Sequence, residues 1–292
     1  MSLICVADLL LQITSANQEF FDRRFKEYFT NSSDKPDMVM TTTLYDFLPV
    51  PSGEEIAEIG GSKLVKADDG RVTRYNITSR TDRVPFTVTY NEDYSFITIC
   101  IQKNLFYKGI NATDWEYVLT GFMFANRMAY LGGTVLHASA ISYCGKGIAF
   151  SADPGTGKST HTSLWQKKFG GDVIIVNDDK PALRFIDGKP YIYGTPWSGK
   201  TSLNNNVKVP LCGIVFLEQS KKNVVSALKP SEVMFNLNRQ LPSPFYDANI
   251  GIKTINLIKK LYDLNLPMFK LGCNISEEAV DTVYNKLFGG NL

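Results

Sequence analysis

The residues best suited to chemistry lie in one glycine-containing turn at residues 151–160, between an apolar run and a predicted helix. Gly155 and Gly157 allow backbone N–H groups to curl towards phosphate oxygens, and the start of the following helix adds a partial positive charge. Lys158 can reach the terminal phosphates, and Ser159 is placed to hold Mg²⁺. This order of strand, turn, Lys-Ser and helix predicts a phosphate-binding loop for a nucleoside triphosphate.

The whole loop, and not the lysine alone, is expected to contact the nucleotide. The predicted binding residues are Asp153, Pro154, Gly155, Thr156, Gly157, Lys158, Ser159 and Thr160. Ala152 stands where the common motif begins with glycine, and Pro154 precedes Gly155, so the turn could be tighter or the binding weaker. The alternative without function is a glycine turn before a helix, with the lysine in solvent.

A second candidate group is the pair Asp178 and Asp179, which follows the β-branched run at residues 173–176. Such a run predicts a buried strand. Two carboxylates at its end need a cation, which Mg²⁺-nucleotide would supply, and one of them could accept a proton from an attacking hydroxyl. Because neighbouring side chains of a strand point to opposite faces, the chain must leave strand geometry here if both carboxylates serve one site. The alternative is a polar turn that ends a strand.

The elements that would position these residues fall into two predicted domains. Residues 1–112 predict short strands with polar turns and one short helix, a strand-rich α+β domain in which we identify no chemistry. Residues 113–292 begin with a helix whose start, Thr113 to Glu116, has the form of a capping box. Apolar runs then alternate with helical stretches, which predicts an α/β core, and residues 231–288 predict a mainly helical tail.

Composition excludes several classes of function. The 292 residues are 44% hydrophobic and carry a net charge of +2, so no overall field is available to hold nucleic acid or an anionic membrane. The five cysteines are scattered without a CxxC pair and are expected to be reduced thiols. No segment approaches the ~20 apolar residues of a membrane helix, and no basic leader precedes the first apolar stretch. We therefore expect a cytoplasmic protein with neither nucleic-acid nor membrane partners.

Over roughly residues 134–229 the sequence resembles the HPr kinase/phosphorylase family and the ATP-dependent phosphoenolpyruvate carboxykinases. The resemblance rests on His137 between Leu136 and Ala138, then the glycine loop, then the paired aspartates. It implies an α/β fold with a P-loop kinase core of this type, a smaller strand-rich N-terminal domain and a helical C-terminal tail. By itself, a lone histidine that enters an apolar strand is more often a core residue.

The resemblance also implies roles for individual residues and for the cofactors ATP and Mg²⁺. His137 would lie near the transferred phosphoryl group, Asp178 would be the base for the acceptor hydroxyl, and Asp179 would bind the metal together with Ser159. Thr160 stands where HPr kinases have a glutamate, and the C-terminal signature that contacts HPr is not found. An HPr substrate is therefore not expected. A carboxykinase reaction is not expected either, because the extra basic substrate-binding residues of those much longer enzymes are not found here.

Residues 193–200 resemble an element of small HPr-kinase-like proteins associated with peptide modification or amino-acid phosphorylation. Its Thr195, Pro196 and Trp197 could shape a pocket, and Lys200 could add charge at the phosphates. The alternative for this element is a surface turn after a hairpin.

Two further side chains in the second domain have open interpretations. Arg239 could clamp a phosphate or be a solvated helix end. His161 could pack on its helix or touch substrate.

The sequence thus predicts a Mg²⁺- and ATP-dependent kinase that transfers the γ-phosphoryl group to a serine-type hydroxyl. The acceptor would be a small molecule or a protein or peptide. The alternative is a nucleotide-sensing binding protein that works in a regulatory or peptide-modification assembly without phosphoryl transfer. The resemblance to HPr kinases, which form rings, leaves two further possibilities open. One is phosphate transfer in the reverse direction with inorganic phosphate, and the other is assembly into a homo-oligomer.

Overall fold

The computed structural model describes residues 2–78, 83–241 and 247–289. These residues divide into two units. The first contains residues 2–130 together with Asp247 and Ala248, and the second contains residues 131–241 and 249–289. Each unit combines strands with helices, so the predicted mixed α/β class is confirmed.

The first unit is built on a mixed sheet. Its elements are β1 (Ser2–Val6), β2 (Leu9–Thr14), α1 (Gln18–Phe25), β3 (Met38–Tyr45), β4 (Glu54–Ile59), β5 (Ser62–Lys66), β6 (Val72–Asn76), β7 (Phe86–Tyr90), β8 (Phe96–Gln102), β9 (Phe106–Tyr107), β10 (Ile110–Asn111) and α2 (Ala112–Tyr130). Within the described residues, eight strands pair in the order β1-β2-β3-β8-β7-β6-β5-β4. The β2–β3 and β3–β8 pairs are parallel and the others antiparallel.

Helix α2 belongs to the first unit, whereas the sequence predicted that it opens the second domain. The helix contacts β8 and β3, and it buries apolar side chains such as Met123 and Met128. Asn111 caps its start, because the Asn111 Oδ1 accepts the N–H of Asp114 at 2.9 Å. Glu116 is buried and accepts the N–H of Ala16 at 2.9 Å instead of closing the predicted capping box. The boundary between the two units therefore lies after this helix, and not before it.

The second unit contains the predicted site. Its elements are β11 (Thr134–Val135), β12 (Ala138–Tyr143), β13 (Lys146–Ser151), α3 (Lys158–Phe169), β14 (Val173–Asn177), β15 (Ala182–Ile186), β16 (Lys189–Tyr193), β17 (Lys208–Gln219), β18 (Val224–Ala227), α4 (Pro230–Gln240), α5 (Ala248–Asp263), β19 (Met268–Cys273) and α6 (Glu277–Phe288). Its main strand order is β11-β15-β16-β17-β13-β12-β14, and β19 pairs with both β17 and β18. In the part of the chain that is described, no helix has the length and apolar character needed to cross a bilayer.

Helices cover both faces of this sheet because successive side chains of its strands point in opposite directions. On β13, Ile148 and Phe150 pack in one apolar cluster with Trp165 of α3 and with residues of α6. Ala149, between them, lies in a second cluster with Leu257 of α5 and with residues of α4. The unit is therefore a three-layer arrangement with the sheet in the middle.

The tail that the sequence predicted as mainly helical also contains the strand β19, Met268–Cys273. This strand runs parallel to the end of β17, with Phe216 opposite Lys270. Its Phe269 and Leu271 are buried, so a short alternating run completes the core between helices. The parallel strands β13, β17 and β19 thus end at one edge of the sheet, which is where α/β sheets bind ligands.

Gly194 follows β16 at a point where two backbone segments leave no room for a side chain. A Cβ there would overlap the carbonyl oxygen of Asn205 and would lie 2.8 Å from that of Val176. We expect Gly194→Ala to lower the free energy of unfolding by about 1–3 kcal/mol or more, measured by urea denaturation. Gly171→Ala is the matched control, because nothing lies within 4 Å of its Cβ position. Equal unfolding midpoints in the two variants would contradict this packing.

Candidate functional site

The predicted phosphate loop lies at the carboxyl end of β13. That strand ends at Ser151 and α3 begins at Lys158, so residues 152–157 form the turn between them. Gly155 and Gly157 have φ angles of +80° and +112°, in the region that side chains with a Cβ rarely adopt. The first N–H groups of α3 have no partner within the helix and open onto this turn. The backbone therefore has a form suited to an anion.

Lys158 bends back across the turn. Its Nζ donates a hydrogen bond to the carbonyl oxygen of Ala152 at 2.9 Å. Burial lowers the pKa of Lys158, and the nearby carboxylate of Asp179 acts in the opposite direction. An anion held by the turn would therefore meet a partly desolvated ammonium, where attraction is stronger than in open water.

Arg239, at the end of α4, is tied to the rim of the loop. Its Nη2 lies 2.8 Å and 2.9 Å from the two carboxylate oxygens of Asp153. The guanidinium also lies 5.5 Å from the ring centre of Phe235. Arg239 is therefore an exposed residue at the end of its helix whose ion pair with Asp153 places its charge at the rim of the loop.

The topology brings the loop, His137 and the two aspartates to one edge of the sheet. Strand β12 lies between β13 and β14 and is antiparallel to both. Strands β13 and β14 therefore run in the same direction, and their carboxyl ends lie at the edge where β12 begins. His137 immediately precedes β12, whereas Asp178 and Asp179 immediately follow β14.

Asn177 turns the chain out of strand geometry before the aspartates. Its Oδ1 accepts hydrogen bonds from the N–H groups of Asp179 and Lys180, at 2.8 Å and 2.6 Å. Its Nδ2 donates to the carbonyl oxygen of Thr195 at 2.7 Å, and the whole side chain is buried. This Asx turn frees Asp178 and Asp179 from the alternation of a strand.

The carboxylate of Asp178 is buried and linked to α3. Its Oδ1 accepts a hydrogen bond from Ser139 Oγ at 2.8 Å, and its Oδ2 accepts one from Thr201 Oγ1 at 3.1 Å. Ser139 Oγ also lies 3.0 Å from Thr162 Oγ1, one turn into α3. Two hydroxyls thus hold this carboxylate, and one of them, that of Ser139, links it to the phosphate-loop helix.

Asp179 is more exposed and lies among positive or ionisable groups. Its Oδ1 is 3.4 Å from His137 Nε2 and 3.6 Å from Lys180 Nζ. The other ring nitrogen of His137, Nδ1, lies 3.1 Å from Gln240 Oε1 at the end of α4. The two aspartates therefore differ in surroundings, with Asp178 linked to α3 and Asp179 linked through His137 to α4.

Residues 193–200 do lie beside the aspartates, although Lys200 does not reach the loop. A Cβ at Gly199 would lie 3.0 Å from Asp179 Oδ2, and Thr201 binds Asp178 as described. The side chain of Lys200 is exposed, and it makes no hydrogen bond or ion pair within the described residues. Its predicted role at the phosphates has no contact to support it.

His161 is a packing residue. Its Nε2 accepts a hydrogen bond from Trp165 Nε1 at 3.3 Å, and its ring centre lies 4.6 Å from that of Phe150. Burial lowers the pKa of His161 to about 4. The imidazole is therefore neutral and belongs to the apolar core beneath α3.

Five polar residues that were not assigned from the sequence contact the predicted site: Ser139, Thr162, Lys180, Thr201 and Gln240. Lys180 directly follows the paired aspartates, and Gln240 directly follows Arg239, so sequence adjacency was a usable signal for both. The three hydroxyl residues come from separate elements, and nothing in their local pattern marks them.

His137 is expected to be neutral at pH 7 in the metal-free protein. Burial lowers its pKa, the charges of Lys180 and Lys158 lower it further, and Asp179 raises it. In an NMR titration of the imidazole protons, Lys180→Met should therefore raise the pKa of His137 and Asp179→Asn should lower it. The chain has only two histidines, so His161 serves as the internal control. A His137 pKa that is insensitive to both substitutions would contradict this arrangement.

Two clefts of similar size flank the loop. The apolar cleft, on the side of α3, has a volume of about 430 Å³ and is lined by Gly157, Thr160, Leu164, Leu217, Asn274 and Ile275. The charged cleft, on the side of α4, has a volume of about 420 Å³ and is lined by Asp153, Glu218, Asn236, Arg239, Gln240 and Lys270. Both volumes lie in the range of small-molecule sites.

The oxygen atoms near the loop have the chemistry that Mg²⁺ prefers. Within the described residues, no three His, Cys, Asp or Glu side chains gather into a metal-binding group. Mg²⁺ does not require such a cage, because it usually binds one or two carboxylates together with phosphate oxygens and water. Ser159 and the two aspartates fit that requirement, since all offer hard oxygen ligands.

Comparison with known proteins finds matches among solved structures. No family model and no curated protein matches the chain. Among solved structures, the HPr(Ser) kinase/phosphatase from Coxiella burnetii matches with 11% sequence identity and a TM-score of 0.25. The match covers 45% of this chain and 93% of that chain. At these values the chain has only a distant structural relationship to that protein.

Proposed function

We propose that the second unit binds Mg²⁺-ATP and transfers the γ-phosphoryl group to a hydroxyl. The observation that carries this proposal is the meeting of the phosphate-type loop, His137 and two aspartates at one edge of the sheet. Phosphoryl transfer needs positioning, charge neutralisation and a group that orients the nucleophile, and these residue types supply all three.

The nucleotide would be held mainly by the loop. The N–H groups at the start of α3 would bind phosphate oxygens, and Lys158 would exchange its bond to Ala152 for bonds to the terminal phosphates. Arg239 offers a further cation at the loop rim. The apolar cleft beside α3, with Leu164, Leu217 and Ile275, suits the adenine base of the nucleotide.

Ser159 and Asp178 are the proposed ligands for Mg²⁺. Asp178 is fixed on the side of α3, in whose first turn Ser159 lies, so both can face the same phosphate oxygens. When bound there, Mg²⁺ would neutralise charge that develops on the transferred group. The family resemblance implied that Asp179 binds the metal and that Asp178 is the base. The contacts of Asp178 favour the reverse assignment.

Asp179 is the proposed base. The acceptor oxygen attacks the γ-phosphorus and gives its proton to the Asp179 carboxylate, while the bond to the bridging oxygen breaks and ADP leaves with the electron pair. His137, 3.4 Å from the Asp179 Oδ1, would orient this carboxylate. Asp178 is less suited to the role because it is buried and both its oxygens already accept hydrogen bonds.

The direct test is a transfer assay with ATP labelled on the γ-phosphate, in Mg²⁺, against hydroxy amino acids and serine-containing peptides. Label that moves to an acceptor hydroxyl is the expected result. Binding of ATP with no transfer to any acceptor would favour the alternative of a nucleotide-sensing protein. A protein that binds no nucleotide would contradict both functions.

A further inference from the structure

We propose that the charged cleft between the phosphate loop and α4 is the acceptor site, and that it takes a small zwitterionic hydroxy amino acid. This inference rests on the proposed kinase activity and names the substrate class for it. Its basis is the position of the cleft, the charges on its walls and its size.

The cleft opens on the same side of the site as the proposed base. It lies at the carboxyl ends of β13, β17 and β19, on the face that α4 covers. Gln240 lines the cleft and contacts His137, which in turn contacts Asp179. Gln240 and His137 therefore connect the wall of the cleft to the proposed base by an unbroken chain of side-chain contacts.

The walls of the cleft carry two positive and two negative side chains. Arg239 pairs with Asp153 at 2.8 Å, and Lys270 pairs with Glu218 at 3.2 Å. All four side chains are partly exposed. A polyanion would meet two carboxylates here, and an apolar ligand would strip water from four charges without replacing it. A zwitterion can satisfy both signs at once.

Lys270 and Glu218 are held by the sheet itself. They lie on the neighbouring parallel strands β19 and β17, where Phe216 is opposite Lys270 and Glu218 lies two residues further on the same face. Lys270 is the anchor for the ligand carboxylate, and Glu218 is the anchor for its ammonium. Residues on strands hold such groups more precisely than residues on loops.

Size and polarity select a free amino acid over a residue inside a protein chain. A cleft of about 420 Å³ is near the small end of ligand sites. An internal serine has neither a free ammonium nor a free carboxylate, so it would leave Lys270 and Glu218 unused. The apolar cleft on the other side of the loop remains available for the nucleoside, so the two substrates do not compete for space.

The test measures binding and turnover separately. Isothermal titration with L-serine, L-threonine and L-homoserine, with and without a non-hydrolysable ATP analogue and Mg²⁺, reports on the cleft directly. Kinetics with labelled ATP then compare L-serine with N-acetyl-L-serine, which lacks the ammonium, and with L-serinamide, which lacks the carboxylate. We expect at least one free amino acid to bind, and each blocked analogue to raise KM by about tenfold or more, as the loss of one charge-assisted contact implies.

Lys270→Met and Glu218→Gln should each raise the KM for the amino acid by about tenfold or more while the Kd for ATP stays unchanged. Lys259→Met is the matched control, because Lys259 forms an exposed pair with Asp263 on α5 at 2.8 Å. Unchanged KM in both cleft variants, no binding of any of the three free amino acids, or a better rate with an end-blocked serine peptide would each overturn the proposal. If the wild-type protein did not bind ATP, the proposed kinase function would be contradicted instead. The titration with free amino acids would still test the cleft in that case.

Discussion

Lys158→Ala should weaken the binding of Mg²⁺-ATP by at least about 100-fold. Each charge-assisted hydrogen bond to phosphate contributes about 1.5–3 kcal/mol, and the half-buried ammonium can bond to more than one phosphate oxygen. Isothermal titration with ATP, with and without Mg²⁺, measures the effect. Because the lysine side chain bonds only to Ala152 O in the described structure, its removal should leave the fold intact.

Lys167→Ala is the matched control for this variant. It lies on the same helix, and its side chain is largely exposed in an ion pair with Glu277 at 2.9 Å. Exposed pairs of this kind contribute little, so ATP affinity should stay within about twofold. Equal affinities in Lys158→Ala and Lys167→Ala would remove the loop from the proposed nucleotide site.

Asp179→Asn should retain ATP binding and lower the rate of phosphoryl transfer by about 10²–10⁴-fold, the usual contribution of a positioned general base. The amide keeps the size of the side chain but cannot take the acceptor proton. Asp178→Asn should mainly raise the Mg²⁺ concentration needed for half-maximal rate, because it removes a proposed metal ligand. Steady-state kinetics over a Mg²⁺ series separate the two effects.

Asp263→Asn provides the control, since this carboxylate pairs with Lys259 on the surface of α5. It should change neither the transfer rate nor the Mg²⁺ requirement. The opposite pattern, in which Asp179→Asn shifts the Mg²⁺ requirement and Asp178→Asn removes transfer, would restore the roles that the family resemblance implied.

The local features of the site could be predicted from the sequence because they depend on neighbours along the chain. The helix expected to follow the glycine turn is present in the structure, where it begins at Lys158 and ends at Phe169. The run at residues 173–176 lies in β14, Val173–Asn177. Glycine conformation, helix starts and β-branched runs act over a few residues, which is the range that sequence patterns report well.

The contacts that distinguish the two aspartates could not be predicted in the same way. Ser139 and Asp178 are 39 positions apart, and His137 and Gln240 are 103 positions apart. Such contacts depend on the order of strands and on where α4 ends. The placement of α2 in the first unit is likewise a matter of which sheet its apolar side chains meet.

Strand β19 shows the same limit at the level of a whole element. It is six residues long and lies between two helices, and a short alternating run of this kind gives a weak signal. Its function in the fold is to pair with β17, and that pairing is invisible until the sheet order is known.

The position of β19 near the end of the chain also affects how this protein folds during translation. On one side β17 pairs with β13, and on the other its residues 208–210 pair with β16 and its residues 214–219 pair with β19. During translation, the stretch at 214–219 therefore has an open hydrogen-bonding edge until residues 268–273 have left the ribosome. Nascent chains arrested before that point would expose this edge beside an apolar core, and they are expected to aggregate or to require a chaperone.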